Sequence, residues 1–162
     1  MHICVIQKAG VNDIQALSNL IRLSNQDVAQ AFHLTKQNCP KHPSNCRDEW
    51  VESDFARGVT YYLLSDKGIP VGCAALEKAD SGIGYLERVA VLPQFRHHGL
   101  GAKLVHHILD IAKKMNLKTI SIGIIAEQQV LREWYETLGF VLVDTKKFAH
   151  LPFQVGFMKI DL

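Results

Sequence analysis

Between Val89 and Ala102 the chain reads Val-Ala-Val-Leu-Pro-Gln-Phe-Arg-His-His-Gly-Leu-Gly-Ala, and no other stretch limits its fold so tightly. A β-branched strand runs into a basic turn with two glycines, and the turn opens a helix. The first N–H groups of a helix lack an intrahelical acceptor, and the helix dipole adds partial positive charge there. Strand, turn and helix start in this order form a cradle for a pyrophosphate. Gly99 and Gly101 carry no Cβ, so a ligand can approach the backbone closely. Arg96, His97, His98 and Lys103 add donors and positive charge.

Spacing narrows the choice of ligand. A P-loop needs G-x-x-x-x-G-K-[ST], but Gly101 is followed by Ala102 and Lys103, with no earlier glycine at the right distance. A Rossmann fingerprint needs G-x-G-x-x-G, and Leu104 stands where the third glycine would fall. What remains is R-x-x-G-x-G over Arg96 to Gly101. With the strand Tyr85-Leu-Glu-Arg-Val-Ala-Val-Leu-Pro93, the helix from Ala102 to Met115, and Trp134-Tyr-Glu-Thr-Leu-Gly-Phe140, the chain resembles the GNAT acetyltransferase superfamily. The resemblance covers roughly residues 60–160. It implies an α/β (α+β) fold with a mixed, mostly antiparallel central sheet of about six or seven strands flanked by helices. It also implies that acetyl-CoA is the co-substrate, with its pyrophosphate on the turn formed by Arg96, His97, His98, Gly99, Leu100, Gly101 and Ala102.

At 162 residues the chain makes one domain, 1–162, large enough for a real core. A net charge of +2 gives no field suited to nucleic acid or a membrane surface. No apolar run approaches the length of a transmembrane helix. The start, Met1 to Lys8, lacks the pattern of a signal peptide. Four cysteines in a core of this size read as free thiols in a reducing, cytoplasmic setting.

Residues 2–8 alternate weakly and read as a strand. Asn12 or Asp13 caps a helix over 13–24, whose Ile14, Leu17, Leu20 and Ile21 recur at helical spacing. A short helix over 27–32 precedes a loop with Pro40 and Pro43, and a third helix spans 47–57 and ends at Gly58. Residues 59–65 and 71–78 form a hairpin about Asp66-Lys-Gly68. A strand over 84–92, a helix over 100–116, a strand over 119–125 and a helix over 128–138 follow. Residues 140–148 and 153–160 close the sheet.

Acetyl transfer to an amine needs a proton acceptor for the ammonium, a donor for the oxyanion and a proton for the departing thiolate. An alkylamine has a pKa of about 10.4, so at neutral pH few molecules are reactive. Strand period two puts Tyr85, Glu87, Val89 and Val91 on one face, where a carboxylate among apolar groups is desolvated and its pKa rises. Glu87 matches the family's strand glutamate that acts as general base; the alternative is a solvated carboxylate paired with Arg88 or Lys78. Tyr135 resembles the family tyrosine beside the CoA sulfur and is the general acid; the alternative is a core tyrosine with a bonded hydroxyl. In relatives the strand bulges and parts from the next, here 119–125, so Val89, Ala90 and Val91 present backbone N–H groups to the pantetheine arm and the oxyanion. Gln128 stands where relatives often carry an Asn that touches pantetheine. The acceptor implied is a primary amine on a small molecule or a protein, and a homodimer is possible.

Two alternatives stand beside this reading. One is a non-catalytic acyl-CoA-binding sensor on the same fold. The other concerns Cys39, His42 and Cys46, whose C-x₂-H-x₃-C spacing offers an incomplete zinc set. The same loop reads also as a wall of the acceptor pocket stiffened by two prolines, or as a plain surface loop. No metal is expected.

Overall fold

The computed structural model describes residues 3–162. The elements run β1 (Cys4–Lys8), α1 (Ile14–Ser24), α2 (Gln26–Ala31), α3 (Asp48–Ala56), β2 (Thr60–Asp66), β3 (Ile69–Lys78) and β4 (Ile83–Val91). There follow α4 (Leu100–Lys114), β5 (Thr119–Ile125), α5 (Gln129–Thr137), β6 (Val141–Lys147) and β7 (Gln154–Asp161). The seven strands form one sheet in the order β1-β2-β3-β4-β5-β7-β6. Only β4 and β5 pair in parallel, and α4 makes the crossover between them. The mixed, mostly antiparallel sheet read from the sequence is therefore the sheet that forms. Of the first expected strand, His2 lies outside the described residues.

Amphipathic spacing assigns the helices to layers. In α4, Leu100, Leu104, Val105, Ile108, Leu109 and Ala112 are buried, the stripe of a helix laid along a sheet. They join Leu64, Val71, Leu76, Leu86, Ile120, Tyr135 and Phe140 in the larger core. On the other face, Leu17, Leu20 and Ile21 of α1 and Val51 of α3 pack with Tyr61, Cys73, Ala75 and Ala90. A third cluster joins Ala29, Leu34, Cys39 and Ile125, with Leu151 and Phe153 against it. No described helix is long and apolar enough to cross a membrane.

Local chemistry fixes the ends. Gly58 (φ 90°) and Gly139 (φ 100°) follow α3 and α5 as left-handed stops. The β2–β3 turn is Lys67-Gly68 alone, both at positive φ, the conformation that matches hairpin twist. Asp66, expected in that turn, instead ends β2 and accepts the Ile3 N–H at 3.0 Å. Asp13 does not cap α1 either. Its Oδ2 accepts the Gly10 N–H at 2.8 Å and closes a 3₁₀ turn over Val11–Asp13.

Candidate active site

β4 sits at the centre of the site, and it is built in two halves. Ile83, Gly84 and Tyr85 pair with Thr119, Ile120 and Ser121 of β5. Beyond Tyr85 the two strands part, although β4 runs on to Val91 and β5 to Ile125. The backbone polar groups on that edge of β4 have no strand partner. A cavity of about 980 Å³ occupies the gap, lined on its two sides by residues 86–91 and 122–125.

A bulge reorients the open half. Cys73 pairs with Ala90 and Ala75 with Glu87, so three steps on β4 oppose two on β3. The extra residue is Arg88, held at φ 56°. A non-glycine residue in this left-handed region costs about 1–2 kcal/mol and persists only where its surroundings enforce it. The bulge overturns the single face expected from simple alternation. Val89 and Val91 pack toward the α4 side, whereas Glu87 lies toward α3, near Asp54 and Arg57. A two-residue period cannot survive an inserted residue.

The turn after β4 has the anticipated form. His97 (φ 66°) and Gly99 (φ 76°) are both left-handed, and Gly99 caps α4. The N–H groups of Leu100, Gly101 and Ala102 then face the cavity end of the helix without intrahelical acceptors. The two glycines serve different needs. A Cβ at Gly99 would meet nothing within 4 Å, so its role is its backbone angle. A Cβ at Gly101 would lie 3.1 Å from the Trp134 ring, so here the close approach is made by α5. Arg96 and Lys103 also have partners within the chain. Arg96 reaches the Ser24 carbonyl and the Asp27 carboxylate at 2.6 Å each and the Val91 carbonyl at 3.1 Å, bracing the turn against α1 and α2. Burial opposes ionisation of Asp27, but Arg96 outweighs it and holds that carboxyl below its usual value. Lys103 Nζ donates to the Cys4 carbonyl at 3.1 Å.

The residues expected for catalysis and for acetyl-CoA line the same cavity, except His98. Tyr135 is 6% exposed and lies edge-on between Trp134 and Phe140, with ring centroids 4.8 and 5.4 Å away. Burial pushes its phenol well above the usual tyrosine range, so it stays protonated. Gln128 precedes α5 and lines the cavity.

Glu87 is half-buried, and its carboxyl is pushed up to about 7. Burial is the largest cause, followed by the neighbouring Glu77 carboxyl and then Asp54; Arg88 opposes them. Among the described ion pairs Arg88 meets Asp54 and not Glu87. Around it stands a charged group that periodicity did not reveal. Asp54, 3% exposed, accepts from the Tyr61 hydroxyl at 2.5 Å and from Arg57 at 2.5 Å. Arg57 also bonds Glu77 at 2.8 Å. The i,i+3 spacing of Asp54 and Arg57 was the only hint in the sequence, and it marks any helical ion pair.

The cysteine–histidine loop is a wall of this cavity, to which His42 and Pro43 belong. His42 Nδ1 accepts the Ser44 N–H at 3.2 Å and pairs with Ser44 Oγ at 2.8 Å, holding a short 3₁₀ turn. Cys39 and Cys46 are buried in different clusters, so the spacing that suggested a zinc set does not converge. Among the described residues no group of three His, Cys, Asp or Glu side chains is placed to hold a metal ion. Burial pushes the Cys39 and Cys46 thiols up and Cys73 to about 12, as for small hydrophobic residues.

Known proteins share this fold. The model of the GNAT acetyltransferase family matches residues 23–140. The amino-acid acetyltransferase of Pseudomonas aeruginosa is 30% identical over 117 residues, which are 71% of this chain but 23% of that protein. The ribosomal protein bS18-alanine N-acetyltransferase of Escherichia coli is 26% identical over 128 residues, 76% of this chain and 81% of that one. The crystal structure of the PaiA N-acetyltransferase of Thermoplasma acidophilum, in complex with coenzyme A, superposes with a TM-score of 0.82 at 15% identity, covering 98% of this chain and 99% of that one. With its family signature spanning most of the sheet, the split strand pair and the turn at the head of α4, the chain belongs to the GNAT acetyltransferase family and is an acyl-CoA-dependent N-acetyltransferase.

Proposed function

We propose that the protein moves an acetyl group from acetyl-CoA directly to a primary amine, with Glu87 as general base and Tyr135 as general acid. One observation carries this reading. Glu87, Tyr135, the open edge of β4 and the N-terminus of α4 all line one cavity between parted strands. The helix N-terminus suits the CoA pyrophosphate, bound by backbone N–H groups rather than by Arg96. The unpaired edge at Val89 to Val91 suits the pantetheine arm and the oxyanion, and the Gln128 amide stands within the same cavity for the arm.

The proton account closes. Glu87 takes one proton from the ammonium, and the freed nitrogen attacks the thioester carbonyl. The C–S bond then breaks, and the thiolate takes the Tyr135 proton. The new amide nitrogen loses its remaining extra proton, which restores the phenol through water. Glu87 finally releases its proton to solvent, so one proton leaves per turnover. A carboxyl near 7 accepts a proton at neutral pH far more readily than one at 4.5. Burial keeps the Tyr135 phenol protonated at neutral pH, the form a general acid needs. A cytoplasmic setting suits the four free thiols.

The test is acetyl-CoA binding by calorimetry, with NADH and ATP as controls, followed by thiol release against a panel of amines. Binding of acetyl-CoA with thiol release for some amine supports the transferase. Tight binding with no release across the panel would favour the acyl-CoA sensor, and no binding would remove the pyrophosphate reading of the turn.

A further inference from the structure

Arg88 is the residue whose placement the reaction as described does not use. In an unbroken strand, residues 87 and 88 would face opposite sides of the sheet. The bulge prevents this. Arg88, at φ 56°, places its guanidinium over the Trp50 ring of α3, 5.8 Å from the centroid, on the side where Glu87 meets Asp54 and Arg57. Two consecutive residues, a carboxyl and a guanidinium, thus share one side and line one cavity.

The guanidinium is held but not saturated. Its side chain is 22% exposed, and the carboxylate that pairs with it, Asp54, stands 3.7 Å from Nε, beyond hydrogen-bond reach. Asp54 is committed elsewhere, to Tyr61 and Arg57. Arg57 differs, because Asp54 and Glu77 bind it directly. A guanidinium has five donors and a planar fork that fits a carboxylate. A largely buried guanidinium beside a cavity, with donors left over, is suited to a carboxylate.

We propose that the acceptor is an α-amino acid, a primary amine with a carboxylate on the adjoining carbon, with Arg88 binding the carboxylate while Glu87 faces the ammonium. The proposal rests on the reading of Glu87 as the base and adds the class of acceptor. The side-by-side carboxyl and guanidinium match the side-by-side ammonium and carboxylate of such a substrate. The strained backbone at Arg88 is the device that brings them to one side.

The experiment compares acids with their amides. Glycine, leucine, phenylalanine, glutamate and lysine are assayed for thiol release beside the corresponding amino-acid amides. Calorimetry with CoA-loaded enzyme compares N-acetyl-leucine with N-acetyl-leucinamide, which reads the site without turnover. The expected result is that at least one acid exceeds its amide about 10²-fold in kcat/KM, and that the N-acetyl acid binds more tightly than the N-acetyl amide. Arg88→Met erases both gaps through KM and leaves acetyl-CoA affinity unchanged, and Arg88→Lys restores part of them. Amides equal to or better than acids in the unaltered enzyme, failure of every N-acetyl acid to bind, or a gap that survives Arg88→Met would overturn the proposal. Glu87→Gln separates the two readings. If it lowers kcat for acids and amides alike while the binding gap persists, both stand. If it changes neither kcat, the base assignment falls and the Arg88 site is judged by the binding gap alone.

Discussion

The two halves of β4 belong to one continuous strand and behave oppositely. Ile83 to Tyr85 is zipped to β5, and Leu86 to Val91 is not. In the closed half, Gly84 exists because there is no room: a Cβ there would lie 2.8 Å from Ile120 Cδ1 and 2.9 Å from Leu117 Cδ1. In the open half, the same strand carries an inserted residue, a strained backbone and a carboxyl with a raised pKa. The closed half supplies stability through packing, while the open half holds groups in states that are unfavourable on their own and useful to a substrate. One strand can do both because the closed half anchors the open one.

This contrast can be broken at either end. The largest effect belongs to Glu87→Gln, which should lower kcat by about 10²–10⁴-fold. The unaltered enzyme should show kcat/KM rising through about pH 7 as Glu87 ionises, and the variant should lose that rise. Stability moves the other way. A carboxyl raised to about 7 contributes stability below its ordinary value, and this is lost as pH rises through 7. The Gln variant should therefore melt higher than the parent at pH 9 and lose most of that advantage at pH 4, as thermal melts across pH would show. Equal melting curves at pH 9 would mean that Glu87 is not strained by its surroundings.

Tyr135→Phe comes next, with a fall of about 10²-fold in kcat and unchanged acetyl-CoA affinity by calorimetry. A fall in affinity with kcat intact would make Tyr135 a packing residue. In the closed half, Gly84→Val should cost about 1–3 kcal/mol by overpacking, read as a lower midpoint in urea, with kcat per folded molecule close to the parent. A loss of activity larger than the loss of folded protein would show that the two halves are not separable. The smallest change is Glu77→Gln. Removing the like charge beside Glu87 should move the pH midpoint of kcat/KM downward and leave the rate plateau nearly intact. An unmoved midpoint would leave burial and Asp54 as the causes.

Much of this molecule was legible in its residues. The amphipathic stripe of α4, the glycine stops after α3 and α5, and the strand–turn–helix order at 89–102 all depend on neighbours in sequence. The sequence also pointed to twelve of the residues that line the cavity, fewer than half of its wall. What the sequence left out shares a cause. Arg96 reads as a phosphate donor because it is basic and near the turn, and its partners Ser24 and Asp27 lie some seventy positions earlier in the chain. Gly101 was taken for ligand clearance, and its neighbour is Trp134. Cys39, His42 and Cys46 had ligand-like spacing, and the fold sends the two thiols into separate clusters.

What the sequence determined by itself is local: which segments are helix or strand, where they stop, and that a backbone cradle stands at the head of α4. These follow from side-chain period, capping and the freedom of glycine, which act over a few residues. The resemblance implied that β4 parts from β5, but tertiary structure alone set the parting after Tyr85 and placed Asp54, Arg57 and Glu77 around Glu87. It also decided that Glu87 and Arg88 share one side of the sheet. Strand separation and the pKa of a buried carboxyl depend on what packs against a residue from across the molecule, and no local pattern of residues carries that information.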